Sequence, residues 1–165
     1  MRKGNKLGVL QTGEFVYDRS ISHLQDSAKD YTIESLSDIS SEGSKTIEKE
    51  VVFKTSIGVS SLVVTGPDDD IVFSRRLGRK GYSRFVRHRR GEESRTLYIK
   101  LSRIKNESAY ILVTSFIGKK TPPEPQPNSR SDKLRSFWSN HALLFDPSSI
   151  IPETLTNETP PEFLN

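Results

Sequence analysis

Between Arg75 and Arg90 the chain carries eight lysines and arginines in sixteen residues and no acid, in the string R-R-L-G-R-K-G-Y-S-R-F-V-R-H-R-R. Such a run can bind phosphate: its cations raise the local potential, attract polyanions and release their counterions. Tyr82, Phe85 and His88 add rings able to stack on unpaired bases. The candidate nucleic-acid-binding residues are therefore Arg75, Arg76, Arg79, Lys80, Tyr82, His88, Arg89 and Arg90, with Lys119 and Lys120 downstream. A solvated charged loop has a similar composition, but here apolar residues and glycines interleave with the charges, as on a folded surface. The charge is also local. Residues 1–50 hold seven bases and nine acids, residues 121–165 three and six, and residues 51–120 fifteen and six, so the middle supplies the whole net charge of +4.

Other chemistries find less support. The absence of cysteine excludes disulfides, thiolate nucleophiles and Cys-based zinc sites, and is compatible with a reducing cytoplasm. The three histidines are scattered without metal-ligand spacing, and no P-loop or G-x-S-x-G elbow occurs. No cofactor or metal is expected. Asp68-Asp69-Asp70 is either a divalent-cation site or an exposed acidic turn that pairs with the basic block. No run approaches the roughly eighteen apolar residues of a membrane span. The basic start, Met1 to Lys6, is not followed by the apolar stretch of a secretory signal. The expectation is a cytoplasmic protein with no membrane partner.

The elements that must position these residues fall into three zones. Residues 1–50 read as a polar, Ser-rich N-terminal segment, partly helical: Ser22–Lys29 lacks breakers, and Tyr31, Ile33, Leu36 and Ile39 recur near helical spacing. Residues 37–45 read as a linker. Residues 51–147 read as an α+β core domain, an antiparallel sheet of four to five strands with short helices packed on one side. Val51–Thr55 and Val59–Thr65 are β-branched runs, Gly66–Asp70 is a turn, and Ile71–Phe73 leads into the basic block. Thr96–Ile104 alternates as a half-buried strand, with Leu97, Ile99 and Leu101 on one side. Lys105–Ser108 turns the chain into Ala109–Ile117, apolar enough to be the central strand, buried on both faces and antiparallel to its predecessor. The Pro-rich stretch from Thr121 to Pro127 cannot be regular structure. Ser131 caps a short helix carrying Leu134, Phe137 and Trp138, and His141–Phe145 is a last strand. Residues 148–165 read as a flexible C-terminal tail.

Taken together, S-L-V-V-T at 61–65, D-I-V-F-S-R-R-L-G-R-K-G-Y-S-R-F-V at 70–86, Y-I-L-V-T-S-F-I-G-K-K-T-P-P-E-P at 110–125 and F-W-S-N-H-A-L-L-F at 137–145 resemble a family of small, mostly uncharacterised bacterial and phage-associated proteins. That family shares T-x-F-x-G, then P-P-E-P, then F-W-x-x-H-A-L, and is associated with the toxin-like RNase assemblage of barnase, EndoU, colicin-D-type tRNases and RelE. The resemblance covers about residues 57–147 and does not reach the first fifty. It implies a sheet with helices on one side and a cleft lined by Arg, Lys, His, Tyr, Ser or Thr.

At matching places this chain has Arg84, Thr114 and His141. Metal-independent RNA cleavage needs a base, an acid and cations around the phosphorane. His141 could carry the proton, Arg84 and Arg87 could grip phosphate oxygens in bidentate fashion, and Thr114 could hydrogen-bond the same oxygens. Lys119 or Lys120 could steer the phosphate. Each has a plainer role open to it: His141 as a partly buried ring bonded to backbone, Thr114 as a satisfied core hydroxyl, Tyr82 as a packing residue, and Arg84 and Arg87 as partners of Glu92 and Glu93. Two functions follow as expectations. One is a small metal-independent endoribonuclease of toxin type, acting on RNA and held by an acidic antitoxin or immunity protein. The other is a non-catalytic nucleic-acid-binding or adaptor domain using the basic surface.

Overall fold

The structure, a computed structural model, describes residues 3–19, 26–128 and 131–164. His23 and the first part of the Ser22–Lys29 helix expectation lie outside them. In chain order the elements are β1 Lys3–Val9, β2 Phe15–Arg19, α1 Asp26–Leu36, β3 Thr46–Val52, β4 Gly58–Ser60, β5 Leu62–Val64, β6 Asp70–Arg75, β7 Tyr82–Arg87, β8 Glu92–Ser94, β9 Thr96–Arg103, β10 Ala109–Ile117, α2 Asp132–Ser139 and β11 His141–Leu144. Three 3₁₀ turns follow at Pro147–Ser149, Pro152–Thr154 and Pro161–Phe163. This is an α+β fold with multi-stranded sheets. The chain forms two compact units, Met1–Ser60 with Glu93–Lys120 and Ser61–Glu92 with Thr121–Asn165, in place of one domain over 51–147.

Unit 1 is a five-stranded sheet in the order β1-β2-β10-β9-β3, plus the small ladder β4-β8. Its centre is the hairpin expected from alternation and apolar run: β9 and β10 are antiparallel, with Tyr110 opposite Arg103 and Ile117 opposite Leu97. One feature of β10 departs from a strand buried on both faces. The register shifts between Leu112 and Thr114, so Val113 is an extra residue that reverses the side-chain alternation. Tyr110 and Leu112 before it and Ser115 and Ile117 after it all turn to the core side, and Thr114 is exposed. Sequence reading also placed residues 1–50 outside the fold. They supply β1, β2, α1 and β3. β2 runs parallel to β10, and β3 pairs with β9 from Thr46↔Ser102 to Val52↔Thr96, so the sheet is mixed rather than antiparallel throughout. Their few apolar residues, Leu10, Val16, Ala28, Leu36, Ile39 and Ile47, join Leu97, Ile99, Leu101, Tyr110 and Leu112 in one core. Ile39 and Ser41 are buried, so 37–45 is a packed connection and not a linker.

Helix α1 buries a different stripe from the one its large residues suggested. Ile33 is 37% exposed, whereas Ala28, Thr32, Ser35 and Leu36, at helical spacing, are buried. The small polar residues let the helix approach the sheet closely. There the Thr32 hydroxyl donates to the Ala28 carbonyl at 2.7 Å and shares a hydrogen bond with the Ser115 hydroxyl of β10 at 2.6 Å. A buried hydroxyl left without a partner costs about 1–3 kcal/mol. Thr32→Val should therefore lower unfolding stability by about that much by orphaning Ser115. Adding Ser115→Ala should restore much of the loss in urea titrations. Additive losses would show that the two hydroxyls do not depend on each other.

Unit 2 is a four-stranded sheet in the order β5-β11-β7-β6, with β11 parallel to β7 and the other pairs antiparallel. It packs on both faces: Val72 and Phe85 lie with Ile150 on one side, and Phe73 lies with Trp138 and Phe163 on the other. Ser131 caps α2 as expected, its hydroxyl accepting from the Leu134 amide, and Trp138 is its buried residue. The segment read as a flexible tail is part of this core. Ile150 and Phe163 are buried, and Thr156 exchanges both backbone hydrogen bonds with Phe73 along the outer side of β6. Prolines begin each of its 3₁₀ turns, where their fixed φ suits the turn and their missing amide costs nothing.

Candidate nucleic-acid interface

The basic block folds as the β6–β7 hairpin of unit 2, and its register decides which charges meet. Asp70 is the cross-strand partner of Arg87, which grips it through Nε at 2.9 Å and Nη2 at 3.3 Å. The exposed His88 ring lies 3.4 Å from the same carboxylate. Asp69 takes Arg89 on both oxygens, at 3.0 and 2.9 Å, and the Gly66 amide at 2.7 Å. Asp68–Asp70 is thus the acidic turn that pairs with the block. Arg87 pairs with Asp70 in place of Glu92 or Glu93. From the Pro-rich segment, the buried Glu124 meets Arg76 at 3.0 Å and Arg79 at 3.8 Å. Arg76 Nε also donates to Ser83 Oγ at 2.9 Å. Burial lowers the Arg79 pKa from its usual range, as does the neighbouring Arg76, while Glu124 opposes both.

Two of the proposed stacking rings are occupied in packing. Phe85 is buried edge-on against Phe145, and Tyr82 packs on the Phe73–Trp138–Phe163 cluster, because alternation along β7 turns them into the sheet's two layers. Arg75 donates to the Arg79 carbonyl at 3.3 Å, and its buried Nε has no partner among the described residues. Lys80 and Arg90 are exposed and, among the described residues, meet no carboxylate. Lys119 and Lys120 are exposed in unit 1, where Lys120 pairs with Glu48 at 3.0 Å. Counted over unit 2, eleven bases face ten acids, so the unit as a whole is nearly neutral, while four of the block's eight cations pair with carboxylates.

Arg84 stands apart from these ion pairs. It lies opposite Phe73 on the hairpin, and its Nη1 donates to Thr65 Oγ1 and to the His141 carbonyl, both at 2.8 Å. Two neutral oxygens hold this guanidinium, and none of its hydrogen bonds among the described residues goes to a carboxylate. Burial lowers its pKa, with Asp69 opposing, yet a guanidinium keeps its charge at any physiological pH. Arg84 lines a cavity of about 280 Å³ with Ile71, Phe73, Trp138, Ser139, Asn157, Thr159 and Phe163. Sequence reading missed Asn157, Thr159 and Phe163, since a Pro/Thr/Asn-rich stretch reads as tail. Phe163 was the only apolar signal among them.

The proposed catalytic residues are not gathered on that cavity. Thr114 belongs to unit 1, on the outward side of β10, and is not the satisfied core hydroxyl that was its plainer role. Arg87 is tied to Asp70. His141 heads β11, half-buried, with its ring stacked on Phe137 at 3.9 Å and 5°. Its Nδ1 lies 2.8 Å from the Phe137 carbonyl, which can only accept, so Nδ1 carries a proton. Arg84 meets the backbone of His141, not its imidazole. Among the described residues, no group of three His, Asp or Glu side chains is placed to hold a metal ion, and no helix is long and apolar enough to cross a membrane.

No family model matches the chain, and neither a curated protein nor a solved structure matches it.

Two outcomes follow from the ion pairs. Glu124→Ala leaves Arg76 and Arg79 facing each other without their shared carboxylate. Glu124 is buried but Arg79 is largely solvated, so the loss is that of a charged hydrogen bond, about 1.5–3 kcal/mol; the urea midpoint should fall by a corresponding amount, and an unchanged midpoint would mean that solvent compensates the charges. For Asp69, the Gly66 amide and then Arg89 hold the carboxyl below its usual 3.8. A depressed pKa gives stability that is fully present above the unfolded value and lost as pH falls through the folded one. Thermal melts should therefore be flat from pH 7 to about 5 and decline below about 4. Asp69→Asn should melt earlier at neutral pH and show a shallower acid decline.

Proposed function

We propose that the chain is a non-catalytic nucleic-acid-binding module that takes single-stranded RNA on unit 2. The observation that carries this reading is Arg84, a cation held in place by neutral oxygens at the wall of a cavity whose other sides are aromatic and hydroxyl- or amide-bearing. A phosphate oxygen satisfies the guanidinium without displacing an acid, and the exposed Ser139, Asn157 and Thr159 side chains can hydrogen-bond a ribose or base edge over a floor made by the buried Phe73, Trp138 and Phe163. Four of the block's eight cations already have carboxylate partners. The salt dependence should be correspondingly modest, with a log–log slope of about −3 rather than the about −6 that eight phosphate contacts would give.

The test is a titration of the full chain with short oligoribonucleotides in EDTA, followed by the fluorescence of Trp138, the only tryptophan. Arg84→Gln should weaken binding about tenfold or more, in line with about 1.5–3 kcal/mol for a charged hydrogen bond. An unaltered affinity, or no fluorescence response, would remove the reading.

One observation favours the endoribonuclease reading as a second: His141 has its Nδ1 proton fixed by a carbonyl and its ring stacked on Phe137, which orients the imidazole. Mapping RNA ends after the same incubation separates the two. New ends that disappear by about 10²–10⁴-fold with His141→Gln would make His141 the proton carrier. Intact RNA would leave the binding module.

A further inference from the structure

Unit 1 carries a second arrangement of rings and cations that the basic block does not involve. Phe15 and Tyr17 alternate on β2 with the fully buried Val16, so both rings stand on the sheet face away from the core, and Phe15 is 43% exposed. Lys6 Nζ lies over the Phe15 ring at 4.1 Å, and Lys3 Nζ lies over Tyr17 at 5.0 Å. Lysines three residues apart on a regular strand would point to opposite faces. Here β1 is irregular between its Lys3↔Arg19 and Lys6↔Tyr17 pairs, which brings both lysines to the same side. Gly4 permits that irregularity: a Cβ there would lie 2.5 Å from the Arg19 carbonyl oxygen. Arg19 continues the row beyond Tyr17, and its buried Nε has no hydrogen-bond partner among the described residues. Of these cations Lys3 is paired with Glu107 at 2.7 Å, and the Asp18 carboxylate accepts from the Arg19 amide at 2.8 Å.

We infer that the Lys3/Lys6/Phe15/Tyr17 face of unit 1 is a stacking platform for one or two bases of single-stranded RNA. Lys6 covers the exposed Phe15 ring, and Lys3, itself paired with Glu107, covers the half-buried Tyr17, which also meets Phe15 edge-on at 6.5 Å. A base of the ligand takes the ring face, and the displaced lysine turns to the flanking phosphate, so the same four side chains supply stacking and charge. This chemistry needs the planar base as well as the anion, which distinguishes the occupant from an acidic protein. The inference rests on unit 1's own residues and extends the RNA-binding reading without using the unit 2 cavity.

The test compares a 12-mer of uridine with an abasic 12-mer of equal charge on the full chain, by anisotropy and by ultraviolet cross-linking with peptide mapping. The uridine strand should bind at least tenfold more tightly and cross-link at Phe15 or Tyr17. Phe15→Ala and Tyr17→Ala should each weaken it about five- to tenfold. Phe15→Leu, which keeps apolar bulk and the strand, should weaken it almost as much with an unchanged melting temperature. Lys6→Gln should reduce the salt slope by about 0.7. Equal binding of the abasic strand, or affinity unmoved by Phe15→Leu, would overturn the platform even if Trp138 still responds. Cross-links at Phe15 or Tyr17 with Trp138 silent would uphold it while removing the unit 2 reading.

Discussion

A hairpin with eight cations in sixteen residues must keep them from crowding one another, and the placing of three acids among four of them organises unit 2. Two like charges about 4 Å apart repel by about 4 kcal/mol at an effective dielectric of 20, comparable to a large part of a domain's net stability. The hairpin meets this through its own register. Pairing Val72 with Phe85 puts Asp70 opposite Arg87 at the open end. The turn before β6 delivers Asp69 to Arg89, and the Pro-rich segment delivers Glu124 between Arg76 and Arg79 at the closed end. The charge left for a ligand is therefore a matter of position, and Arg84 in the middle of β7 keeps its capacity because its neighbours are a threonine hydroxyl and a carbonyl.

Signals carried by a contiguous stretch were legible in the sequence. The alternation of Thr96–Arg103, the apolar run of Ala109–Ile117, the Ser131 cap and the turn at Gly66–Asp70 each depend on residues within a few positions, and the structure has them. What failed to show was long-range. β1 and β3 are the edges of their sheet, and one face of each is polar, so K-G-N-K-L-G-V and T-I-E-K-E-V-V look like surface until β2 and β9 are beside them. The parallel pairs β2–β10 and β7–β11 join segments far apart in the chain, and no local pattern announces them. The C-terminal segment contributes isolated apolar residues, Ile150 and Phe163, whose burial depends on a sheet built elsewhere.

The candidate site divides along the same line. Arg84 and His141 stood out by type, but they meet through the His141 backbone carbonyl, which any residue at that position would supply. The identity of their partners was not readable. Asp69 and Asp70 precede the block by only a few residues and read as an acidic turn more than as a metal site, but which arginine each takes depends on the hairpin register. The cavity's far wall, Asn157 and Thr159, consists of residue types common in any exposed coil.

Bulges account for the remaining difference between pattern and surface. Along a regular strand the faces alternate, so a shift of one residue sends every later side chain to the other face. Val113 does this in β10: an apolar run that reads as buried on both sides keeps Tyr110, Leu112, Ser115 and Ile117 in the core and presents Thr114 outward. The irregularities of β1 do the converse. One brings Lys3 and Lys6 together outside, and the next lets Gly8 turn inward against Leu36 of α1. Neither change alters composition, hydropathy or charge, which is why neither is visible in them. Each instead requires a residue that tolerates the extra position, a half-buried valine in one case and Gly4 at closest backbone approach in the other. A replacement at Gly4 would therefore act on the lysine–ring face through strand register, although glycine itself has nothing to contribute to a ligand.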